Sequence, residues 1–269
     1  MPIHAGNHAN AMLIGRERLC YSGIYATPKK PRSMGAFVIY VAPSADFDIA
    51  ANGQSWTERS IFALTPFTDH HIRARCGRII KICIEAETIA TADMQFLFEE
   101  ISDPVRGARL AAHLRDAHRE IKRVSGFNGF SVEDFDRHFF SRSFPMRPVD
   151  TRLRQVFDII CEDVRNEILT ADECAQISGL SVSRFLHLFK ENASVSFRAF
   201  RSWKQARRFL DYANRPGSLT HVALDLGYPD SSHFSRSIRR IFGLQPRSIR
   251  EWLRELQVAT GEGYTLRPR

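Results

Sequence analysis

The sequence predicts an α+β chain: a small β-barrel with helices, followed by an all-α region with two helix-turn-helix motifs joined by a connecting helix. Three observations predict it. Short β-rich runs separated by Pro, Gly, Asn and Asp fill the stretch from Tyr21 to about Thr88. Apolar residues at helical spacing take over from Thr91 onward. Between Leu169 and Trp252 one small device then occurs twice. Ala175 is followed by Gly179, and Ala223 by Gly227, each pair leading into a polar helix start and a helix with an inward aromatic, Phe185 or Phe234. Two short helices with a Gly at the sharp turn leave the second helix free to enter a DNA groove.

Composition sets the frame. The chain has 269 residues, room for one large or two ordinary domains, and 43% of them are hydrophobic, enough for a core. No run of 18 apolar residues occurs, so no membrane span is expected. The start lacks the basic-then-apolar plan of a secretory signal, and the five cysteines are odd in number and scattered, so a cytoplasmic setting with reduced thiols is expected. The net charge of +8 is uneven: residues 151–269 hold 19 Lys and Arg against 13 Asp and Glu, the preceding residues 19 against 17. A phosphate-binding module needs its excess on that side.

Residues 1–20 read as polar and irregular. The runs 36–41, 60–64 and 78–84 read as strands, with 47–49 and 71–73 as weaker ones. Six or so strands at this spacing suggest a small barrel or jelly roll. Helices are predicted over 91–102, 104–124 and 132–140, the last capped by Ser131. His70-His71 invites a metal reading, but no third ligand stands at sensible spacing, and a polar strand start fits better; His4 and His8 are read the same way. Phe37, Phe47, Trp56, Phe62 and Phe67 are candidates for a pocket lining or for plain core. No catalytic residue, metal site or cofactor is assigned.

Pro145 and Pro148 mark a linker, after which a helix runs to about Asn166. Thr170 and Glu173 form a capping box for a helix over 171–178, and Ser181 caps the next, about 182–191. Phe185, Leu188 and Phe189 form its core stripe; Val182, Ser183, Leu186, His187 and Lys190 form the face offered to bases and phosphates. A connecting helix from Ser196 to about Ala213 buries Phe197, Phe200, Trp203, Ala206 and Leu210. Its polar face is Arg198, Arg201, Lys204, Arg207 and Arg208, solvated or touching DNA backbone at one or two positions. Pro216-Gly217 breaks it. After a helix over 219–226, Asp230 caps the second reader, about 231–242, with Phe234, Ile238, Ile241 and Phe242 inward. Ser231, Ser232, Ser235, Arg236 and Arg239 face outward. Arg236 is the best candidate for a bidentate guanine contact.

Region 149–253 resembles the DNA-binding domain of the AraC/XylS family of bacterial transcription regulators. Gly227-Tyr-Pro-Asp-Ser-Ser-His-Phe-Ser-Arg236, Arg240-Ile-Phe-Gly243, Pro246 and Arg250 carry the match to the family's second helix-turn-helix. Ala175, Gly179, Ser181, Phe185 and Phe189-Lys190 match its first. Three positions depart: Ser194 stands where the family usually has Gly, and Ser202-Trp203 stand where it usually has an Arg-Leu pair. The resemblance implies residues 1–145 as a degenerate cupin-like effector-binding and dimerisation domain, 149–256 as the double helix-turn-helix domain, and 257–269 as a flexible tail. It implies double-stranded promoter DNA and RNA polymerase as partners, activation as the sense of control, and room for a small-molecule effector and a homodimer. The alternatives are a cupin-type metalloenzyme fused to a DNA-binding domain, and a repressor or anti-activator.

Overall fold

Alternation along Arg78-Ile-Ile-Lys-Ile-Cys-Ile-Glu85 organises the N-terminal part. Period-two pleating sends Ile80, Ile82 and Ile84 to one face and Ile79, Lys81, Cys83 and Glu85 to the other. The computed structural model describes residues 10–25, 27, 30–123, 127–162, 169–212, 217–252 and 256–266. His4 and His8, the expected helix ends at Val124, Asn166 and Ala213, and Pro216 lie outside them. The strands are β1 (Ala11–Ile14), β2 (Arg18–Ile24), β3 (Ala36–Val41), β4 (Phe47–Ala51), β5 (Thr57–Arg59), β6 (Ile61–Leu64), β7 (His70–Ala74), β8 (Arg78–Glu85) and β9 (Gln257–Thr260). The helices are α1 (Thr91–Ser102), α2 (Pro104–Arg123), α3 (Val132–Phe140), α4 (Thr151–Glu162), α5 (Ala171–Ile177), α6 (Val182–Ala193), α7 (Phe197–Arg207), α8 (Leu219–Asp225), α9 (Ser231–Phe242) and α10 (Pro246–Trp252).

Among the described residues the strands form two sheets rather than a closed barrel. One has six strands in the order β6-β3-β8-β2-β1-β9, the other three in the order β5-β4-β7. The first face of the large sheet, with Phe37, Ile39 and Val41 of β3, packs on Leu97, Leu114, Phe135 and Phe139 of α1–α3. On the second face, Val38 and Tyr40 of β3 share a core with Phe47, Ile49 and Ile72 of the small sheet. That sheet covers only part of the face. Trp203, Phe209, Ile241 and Phe242 of the helical region complete the same core. The wall that would close a barrel is thus supplied by another domain. Phe37 and Phe47 are core and Trp56 is exposed, so the five aromatics do not converge on one cavity.

The tail departs from expectation most clearly. Gln257–Thr260 is a strand, paired in parallel with β1 from Ala11↔Gln257 to Ile14↔Thr260. It occupies a sheet edge that would otherwise offer unpaired N–H and C=O groups. Glu262 N–H then donates to the Phe130 carbonyl at 2.9 Å, and the Tyr264 hydroxyl to Asp211 Oδ1 at 2.5 Å.

Two buried carboxylates fasten the parts. Asp136 of α3 receives Arg18 Nε and Nη2 at 2.7 and 2.8 Å. Glu85, at the end of β8, receives Trp203 Nε1 at 2.8 Å and Lys204 Nζ at 2.6 Å, and pairs with Arg207 Nε at 2.7 Å. Glu87 also holds Lys204, at 2.5 Å. Burial alone would raise the Glu85 carboxyl, but Lys204 and Arg207 outweigh it and hold it below the usual range. Burial does raise Glu87, which Lys204 only partly offsets. Lys204 and Arg207, expected on a solvated face, instead dock α7 on the sheet. Gly35 allows the approach, since a Cβ there would lie 2.4 Å from the Trp203 ring. Glu85→Gln leaves buried Arg207 without its carboxylate and Lys204 with Glu87 alone, and is expected to cost about 3–5 kcal/mol in urea unfolding.

His70 is a core residue. Its ring meets the Tyr40 hydroxyl through Nε2 at 2.9 Å and the Thr68 carbonyl through Nδ1 at 2.9 Å. Nδ1–H therefore donates to Thr68 while Nε2 accepts from Tyr40. Burial pushes its pKa down from 6.5 to about 4, only partly opposed by the Thr68 bond. Between those values the unfolded chain binds a proton that the native state refuses. Stability conferred by neutral His70 is complete above pH 6.5 and is lost as the pH falls toward 4, by about 3 kcal/mol. Denaturant titrations at pH 7 and pH 4 should show that loss, and His70→Gln should flatten it.

Candidate nucleic-acid interface

The two copies of the device adopt the same turn. In the first, Leu180 N–H donates to the Ala175 carbonyl at 2.9 Å and Gly179 N–H to Gln176 at 3.0 Å. In the second, Tyr228 N–H donates to Ala223 at 2.9 Å and Gly227 N–H to Leu224 at 2.8 Å. Both glycines are left-handed, at φ 63° and 73°, a conformation that costs an L-residue about 1–2 kcal/mol. Ala175 and Ala223 are buried under the turn, where a larger side chain would separate the helices.

Each reader is capped by the residue the sequence indicates. The Ser181 hydroxyl accepts from Arg184 N–H, at 3.4 Å, starting α6. Asp230 Oδ1 accepts from the backbone N–H groups of Ser232 and His233, both at 2.8 Å, starting α9. Its Oδ2 pairs with His233 Nδ1 at 2.8 Å, and that bond, with the backbone ones, holds the carboxyl below its usual value. His233 thus orients the helix start. Both readers end left-handed, α9 at Gly243 and α6 at Ser194, φ 61°. Ser194 stands there without glycine, and the linker reaches it: Arg147 Nη1 donates to Ser194 Oγ at 2.5 Å and Nη2 to the Glu191 carbonyl at 3.1 Å.

The outward faces lie where they were expected. On α6, Ser183, Leu186, His187 and Lys190 are exposed and Val182 is half-buried, opposite Phe185 and Phe189. On α9, Ser231, Ser232 and Arg236 are exposed, while Ser235 and Arg239 are half-buried, opposite Phe234, Ile238 and Ile241. Arg239 is the exception to a free reading face: it lies beside Pro31 and Asp69 of the N-terminal part. Helix α7 touches both α6 and α9. The two readers are mounted differently. The first has its own core, from Leu153 and Phe157 of α4 through Phe185, Phe189, Phe197 and Phe200. The second shares the core of the large sheet.

A family model described as a helix-turn-helix domain matches residues 174–251. The arabinose operon regulatory protein of Escherichia coli is 27% identical over 106 residues, which is 38% of this chain and 36% of that protein. The chain therefore aligns with little more than a third of that relative. The transcriptional activator RhaS of Escherichia fergusonii is 45% identical over 47 residues, 18% of this chain and 16% of its own. ToxT of Vibrio cholerae O395 superposes over 88% of this chain and 97% of its own at a TM-score of 0.54 and 12% identity. Over this helix-turn-helix region the chain is similar to regulators of the AraC/XylS family. Members of this family are DNA-binding transcription regulators, and the double helix-turn-helix is the part that this chain shares with them in sequence. With ToxT it shares the fold, sheet domain included. No helix among the described residues is long and apolar enough to cross a membrane.

Sequence reasoning missed Arg32 and Lys81. Both are buried on the second face of the sheet, beside Tyr21, Met34, Leu210 and Phe242. Lys81 has no ion-pair partner among the described residues, and burial holds its amine below the usual lysine value. Its place in the alternating run of β8 was the available signal: a cation at an inward position. Arg32 stacks on the Tyr25 ring at 3.9 Å.

Asp230→Ala is expected to fray the first turn of α9, seen as faster amide exchange at Ser232 and His233, whereas Asp230→Ser should preserve protection.

Proposed function

We propose that this protein reads two successive major grooves on one face of promoter DNA, α6 entering one and α9 the next, about one helical turn apart. The observation that carries the reading is the repeated device itself: the same turn bonds, capped readers of the same length, and polar outward faces on both. Val182, Ser183, Leu186, His187 and Lys190 serve the first groove, and Ser231, Ser232, Ser235, Arg236 and Arg239 the second. Similarity to RhaS, itself named an activator, supports activation and with it contact to RNA polymerase. Exposed Phe96, Phe98 and Val105 on α1 and α2 support a homodimer through the N-terminal part.

The test is selection of bound DNA from a random pool with the full-length chain. Two recurrent blocks about one turn apart are expected; a single block would leave one reader unused. Arg236→Ala should relax the preference at one base pair, by about 1–3 kcal/mol, with the fold intact. Lys190→Ala should weaken all sequences alike and lower the salt slope by about one. Unchanged site preference in the first variant, or a sequence-selective loss in the second, removes that residue's role.

The same reading includes an effector with a carboxylate on an apolar body, seated against Lys81 and Arg32. Two observations support it. Lys81, a buried cation with no ion-pair partner among the described residues, faces an apolar crevice between the sheet and α9–α10. ToxT, which shares the fold, has been crystallised with (E)-4-(8-methylnaphthalen-1-yl)but-3-enoic acid. The crevice holds about 60 Å³, so a ligand of that size must part Leu210, Phe242 and Ile249 from the sheet. It would then favour one domain arrangement over another, the only way a ligand can act at a distance. Calorimetry should show that acid binding and its methyl ester binding at least tenfold more weakly, with Lys81→Met removing the difference. Equal binding of acid and ester would exclude the site.

A further inference from the structure

A groove of about 680 Å³ runs between α7 and α9, and none of the described residues lining it is acidic. Arg198 and Arg201 line it from α7, Arg236 and Arg240 from α9. Four guanidinium groups without a carboxylate repel one another unless an anion lies among them. Their settings differ. Arg201 is committed to the Leu169 carbonyl and to the Phe197 ring. The Ser202 hydroxyl accepts from Arg240 Nη2 at 2.9 Å, which turns that head toward α7. Arg198 is exposed and makes no ion pair among the described residues. The first turn of α7 also lines the groove, through Ser196 and Ala199; the Ser196 hydroxyl caps the Ala199 N–H, and the positive end of the helix dipole favours negative charge there. Arg236 belongs to both this groove and the base-reading face, so the two surfaces are continuous.

We propose that this groove seats the DNA sugar-phosphate backbone that passes between the two major-groove segments, with Arg198 and Arg240 as its main cations. The inference rests on the DNA-binding reading and extends it. Helix α7 then clamps phosphate as well as spacing the readers. The far wall of the groove is Ser33 and Phe67 of the N-terminal part, so the docking of α7 on the sheet also sets how wide the groove stands.

The experiment measures duplex binding by the full-length chain and by Arg198→Ala between 50 and 200 mM salt, on the selected site and on a random duplex. Losing one phosphate contact should shrink the salt-driven loss of affinity by about 3.5-fold over that range, equally on both duplexes. Arg198→Lys should restore most of it. On a duplex with neutral methylphosphonates between the two blocks, wild type and Arg198→Ala should bind alike. A wild-type salt slope in Arg198→Ala overturns the proposal, as does a difference that survives on the neutral duplex. Absence of salt-dependent binding by the wild type would instead remove the DNA-binding reading itself.

Discussion

Much of this structure depends on where one carboxylate ends up. Glu85 closes the central strand on its second face and gathers Trp203, Lys204 and Arg207 from a single helix. Taking three charges out of water is costly, and a well-packed apolar patch of the same shape would hold the domains at least as firmly. The contribution of the cluster lies in placement. An indole N–H, an ammonium and a guanidinium at successive positions on one helix face meet one carboxylate in one register only, so α7 cannot slide along the sheet.

Fixing α7 has unequal consequences for the two readers. The second is built on a core it shares with the large sheet, through Phe209, Phe234, Ile241 and Phe242. It is held again by β9, which returns from beyond α10 to pair with β1. The first reader keeps a separate aromatic core and reaches the sheet domain through the linker, where Arg147 grips the end of α6. Any change in the sheet is therefore transmitted to the second reader through a shared core, and to the first through narrower contacts: α7, the linker, Phe67 and the packing of α6 on residues 86–88. The distance between the readers is the quantity that such a change can alter.

The departures from the family pattern have physical accounts. Trp203, in place of the usual apolar partner, is the residue whose ring lies on Gly35 and whose N–H meets Glu85. Ser194, in place of glycine, adopts the left-handed cap, and its hydroxyl accepts from Arg147 of the linker. Each is tied to a contact that the helical domain makes outside itself.

Local signals settled local structure. Capping residues, turn glycines and helical spacing made both readers, their inward stripes and their outward faces legible, because caps and turns act over three or four residues. Runs of β-branched residues marked the central strands, though β1, β2, β5 and β9 lack such runs and owe their strand form to their neighbours, so that residues 11–14 and 18–20 are strand where an irregular start was expected. The sequence by itself determined two helix-turn-helix devices behind a sheet domain. Tertiary structure alone decided which polar residues are surface. Lys204 and Arg207 have the pattern of a solvated helix face, and Lys81 and Glu85 that of a strand edge, until 119 residues of separation between Glu85 and Lys204 are folded away and the charges meet in a dry interface. Burial belongs to pairs of segments, and periodicity within one segment carries no record of its partner.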